Sequence, residues 1–286
     1  YRIMAGIGDN TSKVTKYDNP NRTLTDPYEG QQLGEIWGYV VDGYFKTDEE
    51  ARNYKVDQSF VNQMINASAL DNGLHAGDLK FVDLDGNNKI EQTTSANDRK
   101  DMKVIGNSLP RYNYNFGISA DWYGIDFSVL FQGIGKQNWY PGAETSMFWG
   151  PYSRPYASFI PSDFMSQVWS EENTNAYFPR PRGYVALGSN RELAVVNTKY
   201  LQNLAYCRLK NLSIGYTLPD KWLSKIGFEK IRVYFSGENL LTFTKLHSDY
   251  IDPEQASASN SWKTSKSDAN IYPWAKTYSF GVDITF

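Results

Sequence analysis

The sequence predicts an all-β protein built as part of an antiparallel transmembrane β-barrel. Three observations carry this prediction: apolar and polar residues alternate over six segments, these segments are long for strands, and short connections alternate with long ones. A period of two is the signature of strands whose two faces meet different surroundings. We therefore expect one sheet with an apolar face and a polar face.

The clearest segment runs from Arg111 to Trp122, where every even position is apolar or aromatic and every odd position is small or polar. The alternation pauses at Tyr123 and Gly124 and resumes at Ile125, which predicts a tight hairpin. Four further segments alternate in the same way, beginning at Tyr1, Asn211, Ile231 and Thr277. Together these segments are six predicted strands.

The lengths of strands and loops favour a membrane barrel. Ordinary strands have about 5 or 6 residues, whereas a tilted strand needs about 9 to 11 to cross a bilayer. The breaks at 123–124 and 219–230 are short, while 17–110, 135–200 and 246–274 are long. Because outer-membrane barrels have short periplasmic turns and long extracellular loops, these three ranges are predicted extracellular loops and the C-terminus is predicted periplasmic. A soluble β-sandwich or barrel is the alternative, although its loops would not sort by length.

Composition argues against several other classes. The chain has 29 Lys and Arg against 32 Asp and Glu, and this net charge of −3 argues against nucleic-acid binding. No stretch approaches the ~18 apolar residues of a spanning helix. One cysteine, Cys207, and two histidines, His75 and His247, give no zinc-site spacing. No signal peptide precedes the strand at Tyr1, so we expect the chain to begin inside a fold.

Several stretches resemble the SusC/RagA family of TonB-dependent transporters, in the order in which that family carries them. They are 38–45 (GYVVDGYF), 77–90 (GDLKFVDLDGNNKI), 97–99 (NDR), 105–110 (IGNSLP), 208–216 (RLKNLSIGY), 237–243 (GENLLTF) and 272–276 (YPWAK). The stretches are spread over most of the chain and occur in the family's order, so the resemblance is specific.

The resemblance implies a 22-stranded, plugged barrel in the outer membrane of Bacteroidetes-type bacteria, with residues 1–286 supplying its last six strands. The plug domain and TonB box would lie outside this chain. The implied function is TonB-dependent import of glycan oligosaccharides or peptides, with a SusD-like lipoprotein as lid and outer-membrane lipid around the barrel. The alternative is a non-transporting, surface glycan-binding β-protein, and a passive porin is a third possibility.

A candidate Ca²⁺ loop begins at Asp83. Its ligand spacing is that of an EF-hand, in which alternate oxygen donors wrap one cation: Asp83, Asp85, Asn87, the Lys89 carbonyl and Glu91 stand at positions 1, 3, 5, 7 and 9. Position 6 is Asn88 instead of Gly, and position 12 is Thr94 instead of Glu. The resemblance implies a later acid, for which Asp98 is the candidate. The alternative is an Asp-Gly turn without metal, and no other cofactor is expected.

The range 135–200 is rich in aromatic residues, which argues against disorder. Trp139, Tyr140, Trp149 and Tyr152 are therefore candidates for contact with substrate or lid, because Tyr and Trp anchor many interfaces. The alternative is that these rings pack the loop upon itself. Adjacent acids such as Glu171 and Glu172 are typical of solvated surfaces, and no enzyme activity is predicted.

Phe286 ends the last alternating segment on its apolar face. An aromatic ring is favourable at a membrane interface. In the family that the chain resembles, the terminal aromatic residue of the last strand is recognised by the insertion machinery. The resemblance therefore implies that Phe286 is an assembly signal.

Overall fold

The computed structural model describes residues 1–62, 73–153, 159–188, 191–223, 227–256, 266–267 and 272–286. Its strands are β1 (Arg2–Gly8), β2 (Glu35–Tyr39), β3 (Val41–Tyr44), β4 (Leu79–Phe81), β5 (Met102–Asn107), β6 (Arg111–Trp122), β7 (Ile125–Lys136), β8 (Asn138–Pro141), β9 (Gln202–Asn203), β10 (Tyr206–Thr217), β11 (Lys230–Thr244), β12 (Lys266–Ser267) and β13 (Thr277–Thr285). Its α-helices are α1 (Asp48–Arg52), α2 (Ser146–Trp149) and α3 (Asp220–Leu223), and 3₁₀ turns lie at Gly150–Tyr152, Phe164–Gln167 and Tyr184–Leu187.

Six long strands form one antiparallel sheet in the order β1-β6-β7-β10-β11-β13. These are the six strands that the alternation predicts, and their neighbours follow the chain, as in a barrel wall. The predicted hairpin is confirmed, because Tyr123 and Gly124 join β6 to β7 with φ of 47° and 86°. Two successive positive φ angles are typical of the type I′ turn, whose twist suits a two-residue hairpin.

The register places apolar side chains on one face across the whole sheet. Ile3 pairs with Ile118, Ile118 with Val129, and Val129 with Leu212. One level nearer the hairpin turn, a second apolar row continues to the last strand through Phe127, Ile214, Phe235 and Phe280. Phe280 is 82% exposed. This is the apolar band that a barrel wall presents to lipid.

The opposite face is polar and small. Between the two apolar rows, a row of serines crosses five strands: Ser119, Ser128, Ser213, Ser236 and Ser279. Because neighbouring residues of a strand point to opposite faces, this row lies on the face of the sheet turned toward the lumen. We call the two sides the lipid face and the lumen face.

The alternation of β10 is interrupted by a bulge. Leu209 pairs with Leu241 and Asn211 with Glu238, so the single residue Lys210 lies opposite two residues of β11, Asn239 and Leu240. One of these, Asn239, has a φ of 53°. The bulge keeps Leu209 and Leu212 on the lipid face although they are three positions apart.

The three long connections contain structure of their own. Strands β2 and β5 pair, β3 and β4 pair, and β12, β8 and β9 form a third small sheet. Buried residues from all three predicted loop ranges share one hydrophobic core, which includes Phe81, Trp149 and Ile251. We call this assembly the loop core. No helix among the described residues is long and apolar enough to cross a membrane.

Candidate functional site

The four aromatic candidates lie inside the loop core. Trp139, Tyr140, Trp149 and Tyr152 are at most 4% exposed. Their polar atoms are used internally: the Tyr140 hydroxyl donates to the Leu193 carbonyl at 2.8 Å, and the Trp149 indole N–H donates to the Gly142 carbonyl at 2.9 Å. These positions support self-packing of the loop, and a direct contact of the four rings with substrate or lid stays a prediction.

The Asp83 loop is folded by its own backbone. Asp83 accepts hydrogen bonds from the N–H groups of Gly86 and Asn88, both at 2.7 Å. Asn88, at the position where an EF-hand has Gly, has a φ of 63°, a conformation that Asn tolerates. Burial opposes ionisation of Asp83, but the N–H groups of Asn88 and Gly86 outweigh it and lower the pKa of this carboxyl.

Three carboxylates meet at this loop. Asp83, Asp85 and Asp101 offer oxygens that all lie within 4.8 Å of one another. Asp101 is fully buried and accepts from the N–H groups of Leu84 and Glu91 at 2.8 and 2.7 Å. Burial, and then the negative charges of Asp85 and Asp83, raise the pKa of Asp101.

The other predicted ligands have different partners. Asn87 donates its side-chain amide to Asp85 and Glu91 at 3.1 and 3.0 Å. Glu91 lies 3.7 Å from the ammonium groups of both Lys89 and Lys100, and Asp98 lies 3.6 Å from Lys100. The structure thus groups Asp83 and Asp85 with Asp101, which the sequence analysis missed. The resemblance did imply an acid after this loop, but the sequence analysis assigned that role to Asp98 and not to Asp101.

A buried ionic cluster joins the first long connection to the second. Asp78 and Glu192 are fully buried, and Arg182 contacts both, binding Asp78 directly and lying 3.5 Å from Glu192. One oxygen of Glu192 has no hydrogen-bond partner among the described residues. Burial, and then the nearby charge of Asp78, raise the pKa of Glu192 to about 7. Sequence reasoning missed this cluster entirely.

A second cluster attaches the third long connection to the barrel wall. Arg208, on the lumen face of β10, binds Asp252 at 2.7 Å and Glu254 at 2.6 Å. Lys210 binds Glu254 at 2.8 Å. The side chains of Arg208 and Asp252 are only 3% and 5% exposed. The segment around Asp252 is therefore held against the lumen face at the end of the sheet that carries the loop core.

A six-stranded antiparallel sheet with a lipid face, a lumen face and a packed loop core at one end is the wall of a transmembrane β-barrel. Relatives and solved structures define the class further. The chain is 29% identical over 264 residues to TonB-dependent receptor P3 of Formosa agariphila, covering 90% of this chain and 22% of the relative. It is 26% identical over 283 residues to TonB-dependent receptor P39 of the same organism, covering 90% and 25%.

Among solved structures, the chain resembles the RagAB peptide importer in its open-open state, with a TM-score of 0.61, 19% identity, and coverage of 99% of this chain and 26% of that one. No protein-family model matches the chain. The chain spans about a quarter of the length of these relatives. The resemblance to TonB-dependent outer-membrane transporters of the SusC/RagA kind is thus confirmed, and these relatives are receptors and not enzymes, as expected.

Proposed function

We propose that this chain forms part of the wall and the extracellular mouth of a TonB-dependent importer of the outer membrane. One observation carries the proposal: a two-faced sheet continuous with a packed loop core, matched over 99% of the chain by a known importer. The apolar rows suit lipid, and the serine row suits a polar passage. In this orientation the loop core is extracellular and Phe286 is periplasmic.

The proposed cargo is a glycan oligosaccharide or a peptide. The RagAB importer is described as a peptide importer, whereas the relatives from Formosa agariphila carry no substrate in their names. A SusD-like lipoprotein as lid over the loop core, and energisation by the TonB complex, complete the proposal. Exposed tyrosines in the three loop ranges, Tyr17, Tyr184 and Tyr250, are the kind of side chain that anchors contacts with a partner protein.

Uptake by cells tests this function. Deleting the gene should abolish uptake of one class among labelled oligosaccharides and peptides, and deleting tonB should have the same effect as deleting the gene. Surface binding that persists without TonB while uptake stops is expected of an importer. Uptake that is unchanged by the gene deletion would instead favour the non-transporting glycan-binding protein.

We also propose that the Asp83 loop binds one structural Ca²⁺ through Asp83, Asp85 and Asp101. Ca²⁺ takes 6 to 8 oxygen ligands, including carboxylates, carbonyls and waters, and three converging carboxylates suit it. Burial is the main cause of the raised pKa of Asp101, and a bound cation would offset the smaller contribution from the negative charges of Asp85 and Asp83. Calcium should therefore raise the unfolding temperature relative to EGTA, an effect lost in Asp83→Asn and kept in the control Asp98→Asn. Equal unfolding temperatures with and without calcium would contradict this site.

A further inference from the structure

A cavity of about 260 Å³ lies between the second and third long connections. Its floor is aromatic, formed by Phe148, Phe164 and Phe178. Its rim carries two carboxylates, Asp163 from the second connection and Asp249 from the third. Ligand pockets usually measure about 300 to 1,000 Å³. A cavity of this size suits a single side chain or a single sugar ring.

The cavity is held in shape by hydrogen bonds that cross it. Gln167 links its two sides: its carbonyl oxygen lies 2.8 Å from Nε2 of His247, and its amide donates to Asp163 at 3.2 Å. The hydroxyl of Ser248 donates to the Met147 carbonyl at 2.8 Å. Such contacts preorganise a site and reduce the ordering that binding would require.

The stacked rings of the floor add rigidity. Phe164 and Phe178 stack with centroids 4.7 Å apart and an interplanar angle of 26°. Tyr250, also at the cavity, packs edge-on against Phe159 at 4.7 Å. Stacked and edge-on aromatic pairs at these distances are favourable. The cavity therefore offers a fixed apolar floor beneath a charged rim.

The two rim carboxylates, unlike the acids of the two ionic clusters, have no arginine or lysine partner among the described residues. Asp252 and Glu254 pair with Arg208, and Asp78 pairs with Arg182. Within the described residues, Asp163 and Asp249 form no ion pair, and no Lys or Arg lines the cavity. As far as the described residues go, the rim thus has two carboxylates and no lysine or arginine beside them.

We propose that this cavity binds an alkylammonium group, as carried by a lysine side chain of a peptide or by an amino sugar. An ammonium group has three N–H donors. The carboxylates of Asp163 and Asp249 can accept hydrogen bonds from them. The carbon stem or sugar ring would lie on the aromatic floor, where a cation also gains from nearby rings. That the bound group belongs to an imported substrate depends on the proposed function, whereas the binding itself does not.

Calorimetry at pH 7 tests the site on the complete transporter that contains this chain, purified in detergent. The probes are Nα-acetyl-lysine amide against Nα-acetyl-norleucine amide, and glucosamine against glucose. At least one ammonium probe should bind at least about tenfold more tightly than its neutral counterpart. Preference for the lysine probe indicates a peptide source, and preference for glucosamine indicates an amino sugar. Equal binding of the charged and neutral probes, or no binding of either ammonium probe, would overturn the proposal.

Variants locate the binding. The double variant Asp163→Asn with Asp249→Asn should lose the preference for the ammonium probe, and the control Glu171→Gln with Glu172→Gln should keep it. A double variant that binds as the parent does would also overturn the site. Because calorimetry needs no TonB, failure of binding contradicts only this inference, and failure of cellular uptake contradicts only the import function.

Discussion

Arg232 of β11 binds Asp126 of β7 with two hydrogen bonds, of 2.8 and 2.6 Å, although β10 lies between their strands. The intervening position on the lumen face is Gly215, which pairs with Asp126. A Cβ atom at Gly215 would lie 2.5 Å from the Asp126 carboxylate and 2.6 Å from the Arg232 guanidinium. The missing side chain is therefore what lets the ion pair span three strands.

Gly215→Ala should separate this ion pair and so lower the temperature at which the folded barrel unfolds. This temperature is measured from the shift of the barrel's band on a denaturing gel after heating. Gly8→Ala in β1 is the matched control, because a Cβ atom there meets nothing within 4 Å. The two positions share a sheet and differ in what surrounds them. Equal band-shift temperatures for both variants would contradict the role of Gly215.

Arginine substitutions should distinguish the two faces of β6. Ile118→Arg places a charge on the lipid face and should cost about 2 to 4 kcal/mol if the residue lies near the bilayer midplane. Ser119→Arg, one residue further and on the lumen face, should cost clearly less. Unfolding titrations in lipid vesicles measure both free energies, and equal costs would mean that the faces are assigned wrongly.

The strands and their faces could be predicted because a period of two is a local pattern. The faces on which Ile118 and Ser119 lie follow from the alternation of the residues next to them in the sequence. The clusters of the loop core could not be predicted in this way. Asp78 and Arg182 are brought together by the packing of two separate connections, and no periodicity relates them. Asp101 was missed for the same reason. It directly precedes β5, and only the folding of the connection brings it close to Asp83.

Glu192 should make the stability of the loop core depend on pH. Burial and Asp78 raise its pKa from an ordinary 4.5 to about 7 in the folded chain. The folded state therefore holds this proton more tightly than the unfolded state, and stability falls as pH rises from about 4.5 to about 7. Glu192→Gln should flatten this fall, measured as protease resistance of the loops between pH 5 and 8. Glu171→Gln, a surface control, should keep the slope of the parent, and an unchanged slope in Glu192→Gln would contradict the assignment.

Removing Phe286 should reduce assembly more than transport. Its ring is 81% exposed and contacts Phe228 with centroids 5.3 Å apart, so its loss removes little packing. Fewer barrels should reach the outer membrane, while those that do should import at a normal rate per copy. Surface abundance and uptake are measured separately, and normal abundance with reduced uptake per copy would contradict an assembly role.

The central claim is that the six-stranded sheet is a membrane wall with lipid on one side and a water-filled lumen on the other. This claim is tested directly by placing single cysteines in β10 and labelling them with a water-soluble maleimide. The labelling is done in outer-membrane vesicles, and the native Cys207 is replaced by serine. Ser213→Cys, on the lumen face, should react, and Ile214→Cys, on the lipid face, should be protected until detergent with denaturant unfolds the barrel. Rapid labelling of both cysteines in intact vesicles would contradict the account, because it would place both faces of the sheet in water.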